Sequence, residues 1–191
     1  MSILLSGADE MATSEISYRW MEPDEVSKLK DIDRSETIRI NYKYVEGQLQ
    51  ARDVDWDAPA WFTEGDGAHT VASHIRFCTE HLERNGRMYG AFHDQKLVGI
   101  GIIQPDVAAG TAQLAYLHVS NGYRQKGIGN RIVEELIAEA RRTGAVKMYV
   151  SATPSGSAVN FYMSQGFQPT ATPIPELFEL EPDDIHMLME L

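Results

Sequence analysis

The sequence has a single cysteine, Cys78, in 191 residues. One thiol excludes an internal disulfide and any multi-cysteine metal site, and Cys78 itself reads as a small buried hydrophobe. No apolar run approaches the roughly 20 residues that a bilayer-spanning helix needs. The opening MSILLSGADE lacks the basic flank and the apolar length of a secretory signal, so the expected location is cytoplasmic, with no membrane partner. Basic residues are also short in supply. Seventeen Lys and Arg stand against 28 Asp and Glu, for a net charge of −11. That balance argues against nucleic acid as a partner, because neutralising phosphates needs a basic face. His69, His74 and His81 are not at the i, i+4 spacing of a helical metal pair, and no metal site is expected.

The acids are themselves missing from particular places. No carboxylate occurs from Val107 to Val133 or from Ala140 to Pro175. Residues 107–175 hold six cations (Arg124, Lys126, Arg131, Arg141, Arg142, Lys147) and three acids, a charge of +3, which leaves −14 for the remainder. An anionic ligand held by the second half accounts for this asymmetry better than chance and sheet burial do.

Apolar residues make up 43% and charged residues 24%, ordinary for a globular chain. Residues 1–14 are polar and aperiodic and read as a flexible leader; residues 15–191 read as one domain. ISYRWM alternates as a first strand, and Pro23-Asp24 opens a helical stretch with Val26, Leu29 and Ile32 on one face, its end left open as far as Ile38. Alternation on either side of Glu46-Gly47 predicts a hairpin over 42–56. Val71, Ile75, Cys78 and Leu82 predict a helix stopped at Asn85-Gly86. Three strands follow, 88–93, 96–104 and 111–119, with turns at Asp94-Gln95 and over Pro105–Gly110. Ile128, Ile132, Val133, Leu136, Ile137 and Ala140 form one apolar stripe of a helix ending at Gly144. VKMYV is a buried strand. Thr153-Pro154 opens a helix running to Gln165, and after the loop IPELFELEPDD a last strand spans 185–190. The fold class is α/β with a mixed sheet.

The informative stretch is LHVSNGYRQKGIGNRIVEEL, residues 117–136: strand, short polar break, two glycines, amphipathic helix. The first N–H groups of a helix have no internal partner and carry the positive end of its dipole. Gly127 and Gly129 leave room for a bulky anion at those N–H groups, and Arg124 and Lys126 add full charges. The site suits a phosphate or pyrophosphate. It is not a Walker A loop, since the G-x-x-x-x-G-K-[ST] spacing is missing. Nor is it a Rossmann fingerprint, which needs a glycine where Ile132 stands and an acid closing the next strand.

YRQKGIG fits the [RQ]-x-x-G-x-[GA] motif and resembles the GNAT superfamily of acyl-CoA-dependent N-acetyltransferases. The likeness extends through LAYLHVSNGYRQKGIGNRIVEELIAEA and through SATPSGSAVNFYMSQGF, over roughly residues 88–170. The resemblance implies a GNAT-like fold: a central, mostly antiparallel sheet, flanked by helices and splayed between the family's fourth and fifth strands, here those ending at Val119 and Val150. It implies acetyl-CoA as cofactor, with backbone N–H groups of Gln125, Lys126, Gly127, Ile128 and Gly129 on the pyrophosphate. The edge at Leu117, His118 and Val119 would take the pantetheine arm. Arg124, Ser155 and Asn160 join the implied cofactor contacts. Ser155 stands where the family often has asparagine and could instead cap a helix.

The resemblance further implies transfer of an acetyl group to a primary amine by direct attack in a ternary complex. Such an amine, with a pKa near ~10.4, must lose a proton first. Tyr162 matches the family's tyrosine acid and would also line the cofactor; packing against Val159 and Met163 is its structural alternative. The family's strand glutamate falls at Gln113, which cannot be a base. His118, expected on the opposite strand face from Gln113, and Glu36 with neighbouring Asp33 are the remaining candidates, beside a water chain. The acids Asp31, Asp33, Glu36, Asp53, Asp55 and Asp57 would attract a cationic small-molecule or peptide amine. A non-catalytic acyl-CoA sensor, or a transferase using another acyl group or acceptor, is the alternative. Family members often dimerise, so a homodimer is a further expectation, and the loop 174–184 could close over the site.

Overall fold

Alternation produces the first strand where ISYRWM places it, β1, Ile16–Met21. The computed structural model describes residues 15–191; the leader expected over residues 1–14 lies outside the described residues. Pro23–Asp31 is a 3-10 helix. Its apolar residues Val26 and Leu29, and Ile32 at its C-cap, recur every third position, the period of that tighter helix, and all three are buried. It stops well short of Ile38, which lies in β2, Glu36–Val45. With β3, Gln48–Ala58, this forms the expected hairpin. It turns on Glu46 and Gly47, both at positive φ, and stands as a separate two-stranded sheet.

Thr70 caps α1, Val71–Glu83, accepting from the Ser73 N–H at 3.1 Å. Cys78 on this helix is fully buried, and burial pushes its thiol pKa up. β4, Arg87–His93, β5, Lys96–Ala108, and β6, Thr111–Val119, form the meander. The turn expected over Pro105–Gly110 is shorter than that. β5 continues to Ala108 but leaves its register with β6 between Gln104 and Ala108, where Pro105 has no N–H to pair and Asp106 sits at φ 55°.

α2, Ile128–Arg142, follows the cationic turn, and β7, Lys147–Ala152, follows it. α3, Gly156–Ser164, begins later than Thr153-Pro154 suggests. Pro154 is held outside the helix, its carbonyl accepting from the Tyr42 N–H at 2.7 Å, and Ser155 is the N-cap. A short strand, β8, Gln168–Pro169, comes next, and α4, Pro175–Leu180, appears where sequence analysis has only loop. β9, Ile185–Glu190, closes the chain as expected.

The large sheet has seven strands in the order β1-β4-β5-β6-β7-β9-β8. All neighbours are antiparallel except β6 and β7, which are parallel. α2 and α3 pack on one face; the 3-10 helix and α1 pack on the other. Ile132, Val133 and Leu136 are fully buried, each contributing on the order of 1.5–3 kcal/mol. α2 sits this close because β5 has glycine beneath it. A Cβ on Gly101 would lie 2.6 Å from Ile132 Cγ2 and 2.8 Å from Leu136 Cδ1.

β6 and β7 stay together for only three pairs, Thr111–Lys147, Ala112–Met148 and Gln113–Tyr149. Immediately beyond, β6 carries a bulge: Leu114 faces Ile103 and Tyr116 faces Ile102, which leaves Ala115 as the extra residue. A bulge bends its strand. Beyond Gln113 and Tyr149 the two strands part, and the expected splay is present.

Candidate active site

The parted strands open a cleft of about 1060 Å³ that runs from the start of α2 to β2, α1 and the end of the α4–β9 connection. Leu114–Val119 pair with β5 on one side only, and Val150–Ala152 pair with β9 on one side only. Each strand therefore presents an unpaired edge to the gap, a place where an extended polar chain can bond as an added strand would.

At one end lies the turn between β6 and α2. Gln125 has φ 59° and Gly127, the N-cap of α2, has φ 79°. A Cβ at Gly127 would meet nothing within 4 Å, so glycine is required there by the backbone and not by space. Gly129 is different: its Cβ would stand 3.2 Å from the Phe161 ring. Among the described residues, the N–H groups of residues 125–129 have no protein acceptor. Five bare donors at a helix start fit an anionic diphosphate.

The two cations are arranged differently from expectation. Arg124 donates from Nε to the Val119 carbonyl at 2.9 Å, from Nη1 to the Ser35 carbonyl at 3.0 Å and from Nη2 to the Arg34 carbonyl at 2.9 Å. It also pairs with Glu36 at 3.6 Å. Its guanidinium thus ties residues 34–36 to the end of β6 and the turn before α2. Asn121 N–H to the Asp33 carbonyl, 2.7 Å, and Asp33 N–H to Ser120 Oγ, 2.9 Å, strengthen the same tie. Lys126 folds back on its own loop, donating from Nζ to the Gly122 carbonyl at 2.7 Å.

α3 brings Tyr162, Ser155 and Asn160 to the cleft. Tyr162 is 7% exposed, packed edge-on against Phe161 and Phe167. Burial, then the charges of Asp184 and Glu181, push its phenol pKa up, so its hydroxyl keeps its proton. Ser155 Oγ accepts from the Ala158 N–H at 3.3 Å and contacts Ser157 Oγ at 3.0 Å, which is the capping alternative. Asn160 Oδ1 accepts from the Tyr42 hydroxyl at 3.0 Å.

Glu181 and Asp184 line the cleft and were not singled out in the sequence. Burial, then Glu181 and Asp183, push the Asp184 carboxyl up to about 7. The only signal was that acids resume from Glu176 onward after the acid-free run; nothing in the spacing pointed Glu181 and Asp184 inward.

His118 requires a correction. Simple alternation puts it on the opposite face of β6 from Gln113, but the bulge at Ala115 shifts the phase. Gln113 pairs with Gln104, which bonds His81 and the Arg84 carbonyl of the α1 region; His118 pairs with Ile100, buried against α1 and the 3-10 helix. Both therefore face that side. There His118 meets the rings of Tyr116 at 4.7 Å, Trp61 at 5.0 Å and His74 at 6.3 Å. Burial, then His74, Arg124 and Arg34, hold its pKa down to about 3; burial, then Arg34 and His69, hold His74 to about 4. Both imidazoles are neutral walls and poor proton acceptors.

Of the six acids expected to attract a cation, only Glu36 lines the cleft. Asp31 accepts from the Leu97 N–H at 3.3 Å, Asp33 from the Ser35 N–H at 2.9 Å and Asp57 from the Thr37 hydroxyl at 2.6 Å. Asp55 pairs with Arg39. Among the described residues no cluster of three His, Cys, Asp or Glu could hold a metal ion, and no helix is long and apolar enough to cross a membrane.

The solved structures similar to this fold include nourseothricin acetyltransferase, at TM-score 0.68 and 17% identity over 92% of this chain and 98% of that one. PaiA N-acetyltransferase of Thermoplasma acidophilum, in complex with coenzyme A, matches at 0.60 and 18%, over 93% and 99%. A GNAT family acetyltransferase of Elizabethkingia anophelis with acetyl-CoA bound matches at 0.51 and 19%, over 61% and 82%. No curated protein matches in sequence. The family model described as acetyltransferase (GNAT) family matches residues 51–167, from the hairpin through the cationic turn to the end of α3, and the chain belongs to that family.

Proposed function

We propose that this protein transfers an acetyl group from acetyl-CoA to a primary amine by direct attack in a ternary complex. The observation that carries the reading is the open edge between β6 and β7, with bare turn N–H groups at one end and a proton-bearing Tyr162 hydroxyl along it. Acetyl-CoA is the acyl donor and supplies an activated carbonyl and a thiolate leaving group. Residues 125–129 hold its diphosphate through backbone N–H groups. The backbone at Leu117, His118 and Val119 holds the extended arm, with the Val119 carbonyl already committed to Arg124. A backbone N–H at the splay steadies the oxyanion.

Asp184 takes the proton that the amine must lose; a carboxyl poised near neutral suits that task. Tyr162 holds a proton at Oη for the departing sulfur. One N–C bond forms and one C–S bond breaks. Of the two protons that the ammonium loses, the first ends on Asp184, and the second, released from nitrogen as the amide forms, replaces the proton that Tyr162 gives to the thiolate. Glu36, paired with Arg124, and His118, held neutral, serve as walls of the acceptor end.

A thiol-release assay across a panel of amines tests the reading, alongside calorimetry with acetyl-CoA, CoA and ATP. Selective acetyl-CoA binding with thiol release is the expected result. Binding of ATP instead overturns the donor. Acetyl-CoA binding with no release from any amine makes the chain a sensor.

A further inference from the structure

Three buried side-chain nitrogens have no hydrogen-bond partner among the described residues: Arg34 Nε, Trp61 Nε1 and His74 Nε2. They belong to one neighbourhood. The Trp61 and His74 rings lie 4.4 Å apart, and the Arg34 charge acts on His74, Tyr116 and His118 alike. Arg34 and His74 line the cleft, and Trp61 backs them at 5% exposure.

All three are donors. This is inherent for the guanidinium and the indole. For His74 it follows from Tyr116, whose hydroxyl lies 3.1 Å from His74 Nδ1. Burial keeps the Tyr116 phenol protonated, and no other acceptor for it exists among the described residues. Tyr116 therefore donates to Nδ1, which leaves the proton of the neutral imidazole on Nε2. Buried donors left unpaired are costly and call for an acceptor.

Two arginines line the cleft, and they differ. Arg124 is committed to three carbonyls and Glu36. The Arg34 side chain has no hydrogen bond or ion pair among the described residues. Its backbone is nevertheless pinned, because Arg124 holds its carbonyl. Glu36 also lines the cleft but is paired with Arg124 at 3.6 Å; the other acids of the cleft, Glu181 and Asp184, act on Tyr162. A polyamine would place its second ammonium against Arg34 and neutral imidazoles, beside a carboxylate that already has a cation.

Resting on the acetyltransferase reading above, we propose that the acceptor is a small amine that also carries a carboxylate. Its amine lies at Tyr162, Asp184 and Glu181; its carboxylate is held by the Arg34 guanidinium and His74 Nε2–H. Trp61, stacked on His74, fixes the plane of that imidazole.

The test uses matched pairs: L-methionine with L-methioninamide, L-phenylalanine with L-phenylalaninamide, and 4-aminobutanoate with 4-aminobutanamide. Thiol release is followed on the full chain with acetyl-CoA. At least one acid should exceed its amide in kcat/KM by about tenfold or more, because a site built for an ionic partner rejects the analogue lacking it. Arg34→Gln should abolish that preference, mainly through KM, and Arg34→Lys should recover part of it. Acetyl-CoA binding and thermal melting of each variant report folding. Amides used as well as their acids, or spermidine preferred over every acid, overturns the proposal while leaving the acetyltransferase reading intact. If no amine releases thiol, that reading fails, and calorimetry on the CoA-bound protein decides the subsite. Binding of the acids that Arg34→Gln loses upholds it; no binding of the acids to the wild-type protein overturns it.

Discussion

The two ends of the cleft are made of different material. On the function proposed above, the cofactor end comes from one continuous stretch, β6 through the first turn of α2, and its working groups are backbone: N–H groups at residues 125–129 and the strand edge before them. The acceptor end is assembled from side chains on separate segments. Arg34 follows the 3-10 helix, His74 stands on α1, Tyr116 and His118 stand on β6, and Glu181 and Asp184 follow α4. A backbone site needs only the right φ values and a helix start, which a short local sequence dictates. A side-chain site exists only once the fold has gathered its parts, and it can change without disturbing the turn.

The largest effect expected in testing this contrast falls between the ends, at Tyr162. Replacing Tyr162 with Phe removes the proton at Oη and leaves the buried ring against Phe161 and Phe167. Turnover should fall by about a hundredfold, the lower end of what a positioned acid contributes, while the acetyl-CoA dissociation constant from calorimetry changes far less. An unchanged kcat would remove Tyr162 from the chemistry.

Arg124→Ala addresses the tie between the ends. It removes three hydrogen bonds from a charged donor whose side chain is 30% exposed. Urea unfolding should register a loss of about 2–3 kcal/mol, discounted for that exposure. Residues 34–36 would lose their anchor to Val119, so the KM for the acceptor should rise beyond what the stability loss explains. An acceptor KM that stays put would show the two ends to be independent.

How much of this was legible in the sequence follows the same division. The turn and the stripe of α2 were legible because each depends on near neighbours: Gly127 before a helix, Ile132 and Leu136 one turn apart. The splay came only from the family resemblance, since β6 and β7 lie on either side of α2 in the chain. The face of His118 was misread because one residue, Ala115, sits in a bulge that alternation cannot reveal. Arg34 gave no signal, standing beside Asp31 and Asp33 in an acidic stretch, and only the structure shows that Asp31 bonds the distant Leu97 N–H and Asp33 the local Ser35 N–H. Arg124 was legible as a cation at a phosphate-like turn, but its three carbonyl partners lie across two chain segments. The short helix α4 was hidden in a loop whose Pro and acids read as irregular.

A smaller effect is expected at Glu181. Burial is the first cause of the raised Asp184 pKa near 7, and the Glu181 charge is the second. Asp184 accepts a proton only when ionised, so kcat/KM should rise with pH through neutrality. Glu181→Gln removes a negative neighbour and lowers the Asp184 pKa, so the rising limb should move to lower pH. The shift should stay within about one unit, because burial remains. A limb that stays in place would remove Asp184 as its source, and Asp184→Asn should abolish it.

The smallest effect should come from Lys126, although the charge pattern of the turn makes it look central. Its Nζ is bound to the Gly122 carbonyl at 2.7 Å, over the Tyr123 ring at 5.4 Å, and the residue is exposed. Exposed charges contribute weakly across water, and turning Nζ outward would first break its bond to Gly122. Lys126→Ala should therefore weaken acetyl-CoA binding by less than about threefold, with most of that loss disappearing at high salt. A loss of a hundredfold in calorimetry would mean that Lys126 swings onto the diphosphate, and that the cofactor end depends on a side chain after all.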